Sequence, residues 1–267
     1  MTRDVSASLD VYVADPSTLE FQIAVADLPG LTVTETLSFV LDGTEVTPTE
    51  IRAEHGGRIH RFECERGNLR VEYTAQVVGE AEPMPVNERD LSVYLRPSRY
   101  SESDKVLGFA ATEFGKYTSD ADVVERVSSW VGKRLHYVPG SSDPIDGACD
   151  TLLSGSGVCR DYTHLVVALL RAMTVPARLV AVYAPGCYPM DFHAVAEAYV
   201  DGVWRIVDAT RLAPRQSLVR IATGRDAADT AFLDNHDGYI VLNYMQVMAV
   251  VDGQLPIDDV TQLVSMT

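Results

Sequence analysis

Residues 154–180 read SGSGVCRDYTHLVVALLRAMTVPARLV, and residues 191–212 read DFHAVAEAYVDGVWRIVDATRL. In the first stretch two glycines precede Val158-Cys159. The apolar positions Tyr162, Leu165, Val166, Leu169, Leu170 and Met173 then recur at helical spacing, and Thr174-Val175-Pro176 ends the run. The pattern predicts a helix over 158–173 with Cys159 in its first turn. The unpaired amides and the dipole of a helix N-terminus favour a thiolate there, and leave the Cys159 amide free to donate to a developing oxyanion. On this segment alone a buried structural cysteine is an equally good reading. In the second stretch two apolar β runs flank Asp201-Gly202, a strong signal for a two-residue hairpin turn. Val200 then faces Val203, and the register carries outward so that His193 faces Thr210 and Asp208 faces Val195. Side chains alternate along a strand, so His193 and Asp208 project from one face as diagonal neighbours. Such a carboxylate can fix the imidazole tautomer while the other ring nitrogen addresses a thiol.

Working outward, residues 8–80 alternate apolar and polar side chains in five runs: SLDVYVA, LEFQIAVA, TVTETLSFVLDG, RIHRFECER and NLRVEYTAQVVG. Asp-Pro, Pro-Gly, Asp-Gly, Gly-Gly and Gly-Asn turn signals separate them. An antiparallel sandwich is expected. EAEPMPVNERD looks like a linker. SESDKVLGFAATEF and SDADVVERVSSWVGKRL have helical spacing, the second with Ser119 or Asp120 as its cap. Beyond about residue 177 the pattern is β again, ending in YIVLNYMQVMAVVD. The expected division is an all-β domain over 1–97 followed by an α+β domain over 98–267.

Apolar residues make up 46% of the 267, enough for a sizeable core. The balance of 22 basic and 38 acidic side chains gives a net charge of −16, spread over both parts: 8 and 17 in residues 1–97, 14 and 21 in 98–267. So negative a surface repels phosphate backbones and anionic lipid, which weighs against nucleic-acid and membrane-surface partners. No apolar run approaches a bilayer-spanning length, and the N-terminus MTRDVSASLD has no secretory apolar core, so a cytoplasmic protein is expected. Cys64, Cys149, Cys159 and Cys187 contain no C-x2-C pair. That argues against a structural zinc site and, in a reducing compartment, for free thiols.

GVCRDYTHLVVALLRAMTVPARLVAVY followed by FHAVAEAYVDGVWRIVDATR resembles the catalytic core of the bacterial transglutaminase-like superfamily, over about residues 100–245. The resemblance implies a papain-like α+β core, in which the helix bearing the cysteine packs on an antiparallel sheet, preceded by the sandwich-like β domain. It implies Cys159 as nucleophile, His193 as general base and acid, and Asp208 as the residue that orients the imidazole. No metal or organic cofactor is implied, and the substrate would be a peptide or protein amide. Hydrolysis is expected over amine transfer, because transfer requires an amine to outcompete water. The chain departs from the usual pattern at Ala194, where Trp is common, and at Asp208-Ala209-Thr210, where Asp-Pro-Thr is common. GRDAADTAF, with Arg225, Asp226 and Asp229, resembles a segment that follows the core in this group.

Other residues carry plainer expectations. His164, five positions after Cys159, points away from it and reads as a packing or surface histidine. Tyr137 could line the cleft but reads better as a core aromatic. Asp161 suits the first helical turn and matches a Cys-x-Asp pattern, which suggests that it holds a loop beside the site. Arg211, Arg215, Arg220 and Arg225 read as paired surface charges. Two rival functions remain open at this point: a binding module that keeps the scaffold without catalysis, and an interaction protein whose β domain carries the function.

Overall fold

The computed structural model describes residues 1–267. The N-terminal region forms seven strands, five at the alternating runs and β4 and β5 between them: β1 (Thr2–Val13), β2 (Ser17–Phe21), β3 (Leu31–Leu41), β4 (Thr44–Glu45), β5 (Thr49–Arg52), β6 (Arg58–Cys64) and β7 (Gly67–Gly79). Three helices follow: α1 (Glu88–Val93), which lies partly in the expected linker, α2 (Leu107–Phe114) and α3 (Asp120–Arg134). Ser119 caps α3, its hydroxyl accepting from the Asp122 amide. Next come β8 (His136–Tyr137), α4 (Ala148–Ser154), β9 (Ser156–Gly157) and the cysteine helix α5 (Cys159–Ala172). The chain ends with β10 (Ala177–Tyr183), β11 (His193–Val200), β12 (Val203–Val207), β13 (Val219–Gly224), β14 (Leu233–Asn235) and β15 (Ile240–Val251).

Helix α5 is buried on every side, its polar Asp161, Thr163, His164 and Arg171 included. It packs on the antiparallel sheet β12-β11-β10-β13, and α3 lies against it. Leu165, Val166, Leu169 and Leu170 meet Val123, Val127, Ala196 and Val200 in one core. This is the expected helix-on-sheet core.

The two N-terminal sheets are antiparallel, in the orders β15-β1-β7-β3-β4 and β14-β2-β6-β5. Leu9, Phe21, Phe39, Leu69, Val71 and Tyr73 fill the space between them. The strand membership corrects the expected boundary at residue 97. β14 pairs with β2, and β15 pairs with β1 over nearly its whole length, so the C-terminal part of the chain supplies an edge strand to each N-terminal sheet. Val247 and Ala249 turn inward there. The same core continues into Tyr183, Val219, Ile221 and Ala222 of the central sheet, where the Tyr183 hydroxyl donates to the Ile23 carbonyl at 2.7 Å. The sandwich core thus extends onto the central sheet, while the helix-on-sheet core remains a separate cluster.

Candidate active site

Cys159 opens α5, with Val158 in extended conformation as its cap residue. Val158 has no polar side chain to cap the helix, and Asp161 supplies the acceptor instead. Its buried carboxylate accepts from the Val158 amide at 2.8 Å and from the Ser142 hydroxyl at 2.9 Å. One side chain therefore fixes the start of the helix and ties down the 141–147 loop, the role its position suggested. Gly157 permits this approach, since a Cβ there would stand 2.7 Å from the Asp161 Cβ. The Cys159 thiol lies 3.9 Å from the Phe192 carbonyl, beside the strand that carries His193.

The β11–β12 hairpin has the expected register. Val200 pairs with Val203, and the ladder runs back to Ala196 opposite Val207. Asp201 and Gly202 both have positive φ, the left-handed pair that a two-residue turn of this kind requires. His193 is the first residue of β11, and Asp208 follows the last of β12. Their side chains meet as diagonal neighbours, His193 Nε2 standing 3.0 Å from Asp208 Oδ2. Both are almost completely buried. The other carboxylate oxygen accepts from the Thr210 hydroxyl at 2.6 Å and the Thr210 amide at 2.9 Å. This places the chain's Asp-Ala-Thr segment around the acid. Thr163 of α5 donates to the Ala194 carbonyl at 2.9 Å, locking the cysteine helix to the histidine strand.

Electrostatics follow from this geometry. Burial opposes a charge on His193. The Asp208 carboxylate, together with a hydrogen bond and charge interaction with Cys159, outweighs it and holds the imidazole pKa well above its ordinary value. Burial also works against Asp208 as an anion, and His193 and Thr210 overcome that and hold its pKa below the usual carboxylate value. With Nε2 committed to Asp208, Nδ1 is the nitrogen left for the thiol. Of the other three thiols, Cys187 lies near enough for His193, Cys159 and Asp208 to act on it, while those groups are not among the causes acting on Cys64 and Cys149. Burial first, then Glu65 and Asp42, pushes Cys64 up to about 11, and burial likewise raises Cys149 and Cys187.

The remaining expectations divide. His164 is fully buried, stacks on Tyr100 at 5.2 Å between centroids and accepts from the Ala227 amide at 3.2 Å. Burial drives its pKa down to about 3, so it is a neutral packing residue. Tyr137 is not a core aromatic. It is 38% exposed and leans on Tyr162. Burial of its hydroxyl raises its pKa, and the nearby charges of Cys159 and Cys187 add to that rise. The short parallel pairing of β8 with β9 holds it there, a contact with no signature in the sequence. Three of the four arginines in the series are paired, not all at the surface, while Arg211 has no carboxylate partner for its side chain. Arg215 forks onto Asp258, Arg225 onto Asp229, and Arg220 joins Arg178 on Glu197 in a buried triad under Trp204. In GRDAADTAF, Asp226 is buried and accepts from the amides of Tyr100 and Ala228, which makes the segment a brace behind α5.

A family model described as the transglutaminase-like superfamily matches residues 109–209. A crystal structure of a Cytophaga hutchinsonii protein, named as a candidate cysteine protease, superposes with a TM-score of 0.88. It is 33% identical, covering 98% of this chain and 96% of that one. An uncharacterized protein of Mycobacterium leprae (strain TN) is 25% identical over 207 residues, 71% of each chain. The architecture is that of a papain-like thiol enzyme, and the chain belongs to the transglutaminase-like superfamily.

Proposed function

We propose that the protein cleaves amide bonds of peptides through a thioester on Cys159, with His193 as proton carrier and Asp208 as its orienting partner. The observation that carries this reading is the buried His193–Asp208 pair beside a cysteine at a helix start. The Cys159 sulfur attacks the carbonyl carbon. The oxygen takes the charge near the Cys159 amide, and the tetrahedral species expels the amine as His193 gives its proton to the leaving nitrogen. Water then loses a proton to His193 as it attacks the thioester, the C–S bond breaks, and a carboxylic acid leaves. The cysteine protease name given to the Cytophaga hutchinsonii relative supports peptide substrates. Hydrolysis is favoured over amine transfer because transfer needs an acceptor amine to be held against competing water.

Timed iodoacetamide labelling of the folded protein tests this, with peptide mapping of the modified cysteine. Cys159 should be labelled first at neutral pH, and His193→Ala should slow that labelling at least about tenfold. First labelling at Cys149 or Cys187, or an unchanged rate in the variant, contradicts the proposal.

A further inference from the structure

Cys159 and His193 open into a cavity of about 640 Å³, and its composition is one-sided. Part of its lining comes from the central sheet and the residue before β11: Leu179 of β10, Ile221 of β13 and Phe192. The lining also includes Phe232, Leu233 and Met245. Those three come from the segment that returns to the N-terminal sheets. Leu233 opens β14 and pairs with Phe21, and Met245 lies in β15 opposite Leu9. The Phe192 and Phe232 rings stack directly on each other at 5.0 Å between centroids and 22° between planes. Phe192 also rests on Tyr183 at 5.6 Å. Phe192, Phe232, Leu233 and Met245 pack against the sandwich interior while remaining only partly buried. Apolar surface of this kind, enclosed and contiguous with a nucleophile, gains free energy when a substrate side chain removes it from water.

The charged groups around the cavity narrow the choice. Arg160 donates to Ser142 and to the Asp143 carbonyl. The Asp191 and Asp234 carboxylates lie at the margin, each accepting from a neighbouring backbone amide. The two carboxylates disfavour an acidic side chain, and most of the remaining lining is apolar.

We propose that this cavity is the subsite for a large aliphatic or aromatic side chain next to the amide that is cleaved, and that the sandwich sets this preference through Phe232, Leu233 and Met245. The proposal rests on the thiol-enzyme reading and adds its substrate class. It also gives the N-terminal β region a part in the reaction. β14 and β15 can present these side chains only while they are paired to β2 and β1.

The test uses the full chain and a defined mixture of unstructured peptides in which all residue types occur. Cleaved bonds are mapped by mass spectrometry, and iodoacetamide labelling of Cys159 runs in parallel. Phe, Tyr, Trp, Leu or Met should be enriched about tenfold or more over Gly, Asp and Lys within two residues of the cut. Phe232→Ser should collapse that ratio toward one. Met245→Ser, at a partly exposed edge-strand position, reads the same effect if the first variant does not fold. Cleavage with no apolar enrichment, or enrichment that both folded variants keep, overturns the subsite while leaving the thiol chemistry standing. No cleavage together with an unreactive Cys159 overturns both.

Discussion

Replacing Asp208 with asparagine changes one group in the most tightly determined part of the site. Oδ1 keeps its role, because an amide oxygen can still accept from the Thr210 hydroxyl and amide. The altered group is the one that faces His193 Nε2 at 3.0 Å. It becomes an NH2, which can only donate. The ring then presents a bare Nε2 to the introduced amide, and its single proton moves to Nδ1, the nitrogen left for Cys159. A protonated neutral Nδ1 cannot take the thiol proton. The loss of the carboxylate also removes the main influence that holds the imidazole pKa up against burial. Two magnitudes follow. One charge-assisted hydrogen bond becomes a neutral one, costing about 1–3 kcal/mol of stability. The wrong tautomer should cost on the order of a thousandfold to ten-thousandfold in the acylation rate. Stopped-flow acylation by an activated peptide ester measures the rate, and urea unfolding measures the stability. A folded Asp208→Asn protein that acylates within about threefold of the parent refutes the role of the pair.

The same pair makes stability depend on pH. The His193 contribution is complete below the unfolded-state value of about 6.5 and is lost as pH rises through the raised folded-state value. The Asp208 contribution is complete above about 3.9 and is lost as pH falls through the depressed folded-state value. For this pair, the urea midpoint should plateau between about pH 4 and 6.5 and decline on the alkaline side, and His193→Ala should remove that alkaline decline; identical alkaline limbs in the two proteins contradict it. Glu197→Leu should destabilise by about 3–5 kcal/mol, since it strands the buried Arg178 and Arg220 guanidiniums without their shared carboxylate. A urea-derived loss below about 1 kcal/mol would show that the triad is solvated. Asp161→Ala should cost about 1–3 kcal/mol by leaving the Val158 amide without its partner, and should slow Cys159 labelling because it loosens the helix start. Unchanged labelling at reduced stability would separate the cap from the site.

The geometry of the candidate site was legible because it is local. Asp201-Gly202 admits few turns, the turn fixes the register, and the period of two decides which faces His193 and Asp208 share. The start of α5 was legible for the same reason, from glycines, cysteine and a following apolar stripe at helical spacing. Long-range partners were not legible. Alternation marks residues 240–251 as a strand, but it carries no information about which edge receives it, and Val247 and Ala249 found theirs beside β1. The boundary at residue 97 failed on that point. A chain lacking residues 1–97 would leave β14 and β15 without partners and Tyr183, Ile221 and Ala222 without their cover. Phe232 ends the GRDAADTAF segment and Met245 lies in the last β run, but nothing in either pattern points to the cysteine, and only the returning strands bring them there. Glu197 and Arg178 carry no motif of their own; the register of β10 and β11 sets them opposite each other, buried with Arg220.

The central claim is that Cys159 carries an acyl group during turnover, and intact-mass spectrometry of an acid-quenched reaction with peptide substrate tests it most directly. The expected result is a transient species heavier by the acyl fragment, mapped to Cys159, absent from Cys159→Ser and depleted as free carboxylic acid accumulates. Product formation without any such adduct, or an adduct mapped to Cys149 or Cys187, would contradict the account.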